Sequence, residues 1–349
     1  MAVQLLAYQV ADLCLGKPPL SYLPASSATV ADALAALKST GESSITLWSC
    51  DHASPDKDCV CVGKICTVDV ICHLSREENL ASPAAALQSP ATVLVPRVEG
   101  LVRHVDPSSS LLEAIDLILE GAQNLVVPIR TNRKQRKQLQ KPSPSTLSTN
   151  HNGREFCWLT HEDFVRFLLG LIGLFSPIPT LPIETLGIIS HNFPSMSHHS
   201  PASSALEAIH RASIDQTSVA LVDELGSLTG EISPFTLTAG DLMGPPEEWL
   251  REKGLLTGGN CCCSSDDELA SPTTPLGGMW ARRACSARMM WRDEARVCGP
   301  GSSLVAVMIQ AIARRVGSVW VVDGEGRVIG MVTFASMLGV FRDCLESLV

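Results

Sequence analysis

The sequence has no excess of positive charge. Lys and Arg number 27 against 36 Asp and Glu, a formal net charge of −9, which is the wrong global sign for a protein that neutralises phosphates along a nucleic-acid backbone. A long unbroken apolar run is also missing. The most apolar stretch, Phe164 to Ile189, is interrupted by Arg166, Pro177, Pro179, Pro182 and Glu184, so no transmembrane helix is expected. The opening MAVQLLAYQVADLCLGKPPL has neither the basic start nor the continuous apolar stretch of a secretory signal. The 13 cysteines are therefore expected as reduced thiols, in the cytosol or nucleus, rather than as a disulfide framework. A Walker A loop, G-x-S-x-G, H-E-x-x-H and the Rossmann glycine pattern are all absent, and no enzyme is expected.

What is present is enough apolar material, 45% of 349 residues, to fill the cores of two ordinary domains, and a pattern written four times. Thr29-Val-Ala-Asp-Ala-Leu34, Ser110-Leu-Leu-Glu-Ala-Ile115, Ser204-Ala-Leu-Glu-Ala-Ile209 and Ser303-Leu-Val-Ala-Val-Met308 each place a hydroxyl at a helix N-cap position. Apolar residues one, four and five places later share one helix face. About fourteen or fifteen residues after each cap comes a short apolar run: Ile45 to Trp48, Leu125 to Ile129, Val219 to Val222 and Val319 to Val322. These read as buried strands. Turn formers at Asp223 to Gly226 and Asp323 to Gly326 predict hairpins.

A second strand then ends in a recurring signature: Gly63-Lys-Ile-Cys66, Cys157-Trp-Leu-Thr160, Gly230-Glu-Ile-Ser233 and Gly330-Met-Val-Thr333. The steps from Ser218 to Ser233 and from Ser318 to Thr333 are both fifteen residues. A closing helix follows at once in at least three of the four.

This βαββα unit, with a leading strand such as Leu101 to Val105, resembles the CBS repeat, and the order of segments is similar to soluble plant CBS-domain proteins with four repeats. The resemblance covers nearly the whole chain and implies an α+β fold of four CBS repeats in two tandem Bateman modules. The expected limits are residues 16–77 for repeat one, 95–175 for repeat two with a basic insertion at 131–154, and 183–243 for repeat three. A mobile linker at 244–284 and repeat four at 285–349 complete the chain.

In CBS repeats that hold adenosine nucleotides, a Ser or Thr at the end of the second hairpin strand and an Asp three residues on contact phosphate and ribose. Carried over, the phosphate-side positions are Cys66, Thr160, Ser233 and Thr333, and the ribose-side positions are Asp69, Asp163, Thr236 and Ser336. Only repeat two keeps the Thr/Asp pair. Repeat one has Cys66 where a hydroxyl is expected, with Thr67 adjacent as a substitute. Thr160-His-Glu-Asp163 is also a capping-box arrangement needing no ligand, and capping explains Ser233 and Thr333 better than ligand binding does.

Cys59, Cys61, Cys66, Cys72 and His73 lie close in sequence without paired C-x-x-C knuckles, so core packing is expected rather than a metal site. Cys261-Cys262-Cys263 reads as an exposed, inert tract, and the basic run Arg130 to Lys141 as a solvated loop rather than an import signal. The function implied is a non-catalytic sensor, with no required cofactor, that binds AMP, ADP, ATP or a related ligand and modulates a protein partner, such as a kinase or another regulated enzyme. The alternative is an interaction scaffold resembling a kinase gamma regulatory subunit, with vestigial clefts.

Overall fold

The computed structural model describes residues 7–50, 59–129, 147–151, 153–197, 200, 202–234, 296–314 and 316–347. Thr236, the basic run, the Cys261 to Cys263 tract and the expected linker at 244–284 lie outside these residues.

The described chain contains four three-stranded sheets of one topology: a leading edge strand parallel to the middle strand, which forms an antiparallel hairpin with the third. The first is β1 (Tyr22–Pro24), β2 (Ser44–Ser49) and β3 (Val60–Cys66); the second is β4 (Val102–His104), β5 (Asn124–Ile129) and β6 (Glu155–Thr160). The third is β7 (Ser195–Ser197), β8 (Val219–Val222) and β9 (Leu228–Ile232); the fourth is β10 (Val297–Cys298), β11 (Ser318–Val322) and β12 (Val328–Thr333). In each, a helix crosses from the leading strand to the middle one: α2 (Val30–Thr40), α6 (Leu111–Leu119), α8 (Ala202–Ile214) and α9 (Leu304–Arg314). Closing helices follow in three units: α3 (Thr67–Leu74), α7 (His161–Gly170) and α10 (Phe334–Glu346). The short helices α1 (Val10–Leu13), α4 (Glu77–Leu80) and α5 (Pro83–Leu87) lie outside the repeat pattern.

The crossing helices start where their caps require. Thr29 Oγ1 accepts from the Asp32 amide at 3.2 Å while Asp32 Oδ2 accepts from the Thr29 amide at 2.9 Å; Ser110 and Glu113 repeat this at 3.2 and 3.0 Å. Two otherwise unpaired amides are satisfied reciprocally at each start. Gly41, at φ 66°, ends α2 in the left-handed conformation that glycine adopts without a Cβ clash. The buried stripe is the same in three helices: Val30, Ala33, Leu34 and Leu37; Leu111, Ala114, Ile115 and Ile118; Leu304, Val307, Met308 and Ala311. Ser204 departs from the expectation. Helix α8 begins at Ala202, so Ser204 is inside it and is not a cap, because the small residues before it extend the first turn.

The hairpins of units three and four are copies of one another. Asp223 Oδ1 accepts from the Leu225 and Ser227 amides at 2.9 and 2.8 Å, and Asp323 Oδ1 from the Glu325 and Arg327 amides, both at 2.9 Å. The two turns then pair with each other through Leu228 N to Gly326 O and Val328 N to Gly226 O, both 3.2 Å.

Each sheet has a second face that its own helices do not cover, and a neighbouring sheet covers it. Trp48, Cys61, Val126 and Phe156 join the sheets of units one and two; Ala220, Trp320 and Met331 join those of units three and four. These are two Bateman modules. The modules meet through helices: Val68 and Cys72 of α3 pack on Ile209 and Ala212 of α8, and α6 and α7 of unit two pack on α9 and α10 of unit four. There Phe175 and Phe341 make an edge-on aromatic contact at 4.7 Å.

The segment entering each module crosses to the module's far unit. Leu20 donates to Phe156 O at 2.8 Å, and Ser190 and Met331 exchange two backbone bonds at 2.8 and 2.9 Å. Gly330 permits that crossing: a Cβ there would lie 2.5 Å from Ile189 Cγ2 and 2.7 Å from the Ser190 carbonyl oxygen. Gly330→Ala is expected to lower the unfolding free energy by about 1–3 kcal/mol, since a backbone atom must move. Urea unfolding of both chains at one pH tests this; an unchanged midpoint would show that the crossing is not tight.

Candidate functional site

The signature at the β3/α3 junction borders a cavity of about 470 Å³. Its walls come from three units: Lys64, Cys66 and Asp69 from the first, Arg97 and Gln123 from the approach to and interior of the second, and Gln216 from the turn after α8 in the third. Gly63 makes room for the second unit's approach, because a Cβ there would lie 2.5 Å from Val95 Cγ1. Gln123 donates its side-chain amide to the carbonyls of Ser213 and Ile214 and so ties the inner end of the cavity to unit three.

Asp69 is buried and makes an acidic capping arrangement with a thiol in place of a hydroxyl. Its Oδ2 accepts from the Cys66 amide at 2.7 Å and from the Cys66 Sγ–H at 2.9 Å. Burial raises the Asp69 carboxyl above its ordinary range, opposed by those two bonds and by the charges of Lys64 and His210. Burial, reinforced by the Asp69 charge, also pushes the Cys66 thiol well up, which keeps it a donor at neutral pH. The thiol therefore does what the missing hydroxyl would do. Thr67, expected as the substitute, is not one: its hydroxyl is buried without a hydrogen bond and is not among the cavity walls, because the first helical residue turns into the packed side of α3.

The Thr160/Asp163 pair occupies the corresponding junction of unit two and does not line this cavity. Asp163 Oδ2 accepts from the Thr160 amide at 2.8 Å and its hydroxyl at 2.9 Å, while Oδ1 holds the Lys17 ammonium at 2.7 Å. Lys17 arrives on the segment that crosses from unit one, so this second cleft has its carboxylate engaged from both sides. His161 donates Nε2–H to Ala122 O at 2.8 Å, and burial lowers its pKa. In unit four Thr333 and Ser336 cap α10 with reciprocal bonds of 3.1 and 3.0 Å and no carboxylate takes part. Ser233 is buried at the end of the third hairpin.

The structure thus gathers Cys66 and Asp69 at one cavity and leaves Thr160, Asp163, Ser233 and Thr333 at separate junctions. Lys64, Arg97, Gln123 and Gln216 were not among the expected site residues. Lys64 stands inside the Gly63-Lys-Ile-Cys66 signature; the other three lie in connecting segments whose spacing carries no pattern.

Four repeated sheets paired in twos, with clefts at the strand-to-helix junctions, define a protein of two tandem CBS pairs. The comparisons agree. The CBS domain model matches residues 287–343. CBS domain-containing protein CBSX5 of Arabidopsis thaliana is 44% identical over 99% of this chain and 100% of its own length, and CBSX6 of the same plant is 25% identical over 97% and 94%. The chain belongs to the CBS domain-containing protein family. Its fold is also that of Methanocaldococcus jannaschii protein MJ1225, proposed as an archaeal homologue of g-AMPK, with a TM-score of 0.56 over 96% of this chain and all of that one at 15% identity.

The raised Asp69 carboxyl has a consequence for stability. A carboxyl whose folded-state pKa lies above its unfolded value favours the fold at pH below the unfolded pKa, and that contribution is lost as pH rises through the folded-state value. Asp69→Asn keeps an acceptor for the Cys66 amide and removes the buried charge. It is expected to melt higher than the parent at pH 8, with the difference shrinking toward pH of about 4. Thermal melts of both chains across that range test it, and a parent that melts higher at pH 8 would contradict it.

Proposed function

We propose that this protein is a non-catalytic regulator that binds an adenine nucleotide, or an anion of similar shape, in the cavity of its first module and thereby modulates a partner protein. The observation that carries this is the convergence of one buried carboxylate, Asp69, with two cations, Lys64 and Arg97, around about 470 Å³. Cations and the amino end of α3 suit phosphate. A carboxylate accepts from the vicinal hydroxyls of a ribose.

A buried carboxylate whose charge disfavours folding is better accounted for by ligand recognition than by packing. The repeats in this reading run over residues 16–77, 95–175, 183–243 and 285–349, joined by 244–284. Among the described residues no helix is long and apolar enough to cross a membrane, in keeping with a place in the cytosol or nucleus.

A second reading, a protein-interaction scaffold resembling kinase gamma regulatory subunits, is favoured by two observations. The Asp163 carboxylate already holds Lys17, and unit four has Ser336 at the ribose-side position.

Calorimetric titration of the whole chain with AMP, ADP and ATP separates the two. Binding of at least one nucleotide is expected, weakened tenfold or more by Asp69→Ala and by Lys64→Ala, since a hydrogen bond to a charged group contributes roughly 1.5–3 kcal/mol. Asp163→Ala is expected to leave that binding in place. Loss in Asp163→Ala alone would move the site to the second cleft. No heat with any nucleotide would leave the scaffold.

A further inference from the structure

A second cluster of reactive side chains lies away from the nucleotide cavity, in the face shared by the two sheets of the first module. Cys50 follows β2, Cys59 precedes β3, and His151 stands on the short segment that enters β6. One ligand atom from each lies within 4.8 Å of the other two, and Cys50 Sγ is 3.4 Å from His151 Nδ1. Metal bonds of about 2.3 Å to sulfur and 2.0–2.1 Å to imidazole nitrogen, in a tetrahedron, set a sulfur-to-nitrogen spacing of ~3.5 Å. The observed spacing is that one.

The surroundings hold the ligands still. The His151 ring stacks between Trp48 and Tyr22, with centroids 3.9 and 4.0 Å away, and Phe156 meets its edge at 5.5 Å. Its backbone is fixed by two bonds with Arg154, of 2.8 and 2.9 Å. Cys59 is buried and Cys50 is partly exposed. The sequence groups Cys59 with Cys61, Cys66, Cys72 and His73; the fold keeps Cys59 and Cys61 in one buried cluster between the sheets, whereas Cys66, Cys72 and His73 belong to the α3 end of the unit.

We infer that Cys50, Cys59 and His151 form a zinc site, with solvent as the fourth ligand. Two thiols and one imidazole are the donor set that borderline-soft zinc prefers over the harder cations. On binding, two S–Zn bonds form, the two thiol protons leave to solvent, and no electron is transferred. The ion's two positive charges cancel the two thiolates, so the aromatic pocket gains no net charge. Burial and the neighbouring Cys59 push the Cys50 thiol up to about 12; a bound dication reverses that preference. The ion would pin the loop end of the β2–β3 hairpin to the segment that enters β6 in unit two.

The test uses the whole chain, without a histidine tag, in a background with Cys261, Cys262 and Cys263 replaced by Ser so that this tract contributes no ligand. Elemental analysis after zinc loading and desalting is expected to give about one equivalent. Cys59→Ser and His151→Ala are each expected to reduce it to background, and Cys344→Ser to leave it unchanged. Cobalt loading of the parent is expected to produce a thiolate-to-metal charge-transfer band with tetrahedral visible bands, and zinc to raise the melting temperature over the chelated protein. Less than a tenth of an equivalent in the loaded parent, a stoichiometry unaffected by both variants, or a Cys50–Cys59 disulfide in protein handled anaerobically would each overturn the assignment. Should a variant fail to fold, the cobalt spectrum of the parent decides: without the charge-transfer band there is no such site.

Discussion

Everything in this structure depends on the inability of one repeat to bury its own surfaces. A three-stranded sheet with two helices on one side leaves its other face apolar, and Trp48 and Trp320, both with no exposed surface, stand on that face in units one and four. Each indole must meet another sheet and must also place its N–H. Trp48 Nε1 donates to Thr46 Oγ1 at 2.7 Å, and Trp320 Nε1 donates across to Glu231 of unit three at 2.6 Å. Sheet pairing follows from that constraint, and the modules from sheet pairing. The outer faces of the helices are then the remaining apolar surface, which the other module covers.

The same constraint creates the clefts. Where a strand gives way to a helix at the edge of a sheet pair, the neighbouring unit's entry segment must cross close to the backbone. Gly63 and Gly330 answer that need at the first and fourth junctions, where any Cβ would come within 2.5 Å of a crossing side chain. Gly63 and Gly330 are thus packing residues, and Cys66 and Thr333 after them capping residues. In the proposed reading ligand recognition uses positions that the fold already needs: Asp69 caps α3 and lines a cavity at once, whereas Asp163 caps α7 and holds Lys17.

Local features were legible in the sequence to the extent that they are local. Caps at Thr29 and Ser110, the i, i+3, i+4 stripes behind them, and the Asp223 and Asp323 turns each involve neighbours a few residues apart, so periodicity and turn chemistry identify them. Ser204 shows the limit, since a hydroxyl before an apolar stripe is also tolerated inside a first turn. Contacts across the fold had no such trace. Lys17 and Asp163 are 146 residues apart, and Cys50 and His151 are 101; nothing in the spacing of either pair links them. Thr160/Asp163 matches the nucleotide pattern better than Cys66/Asp69, yet the cavity of about 470 Å³ lies at Cys66 and Asp69 while the Asp163 carboxylate holds Lys17, a contact that spacing does not announce.

The placement of the open cleft bears on how a ligand could act. A molecule between Lys64, Asp69 and Arg97 touches only the first module, yet the inner wall of the cavity includes Gln216, and Gln123 reaches the carbonyls that end α8. Gln216 itself has a left-handed backbone, φ 54°, uncommon for a residue with a Cβ. A ligand alters an equilibrium only through differential contact with its two states, and here the residues able to register such a difference sit where the two modules join. In the proposed reading, a ligand in the first module would act on the α3–α8 interface, which among the described residues is the smaller helical contact between the modules.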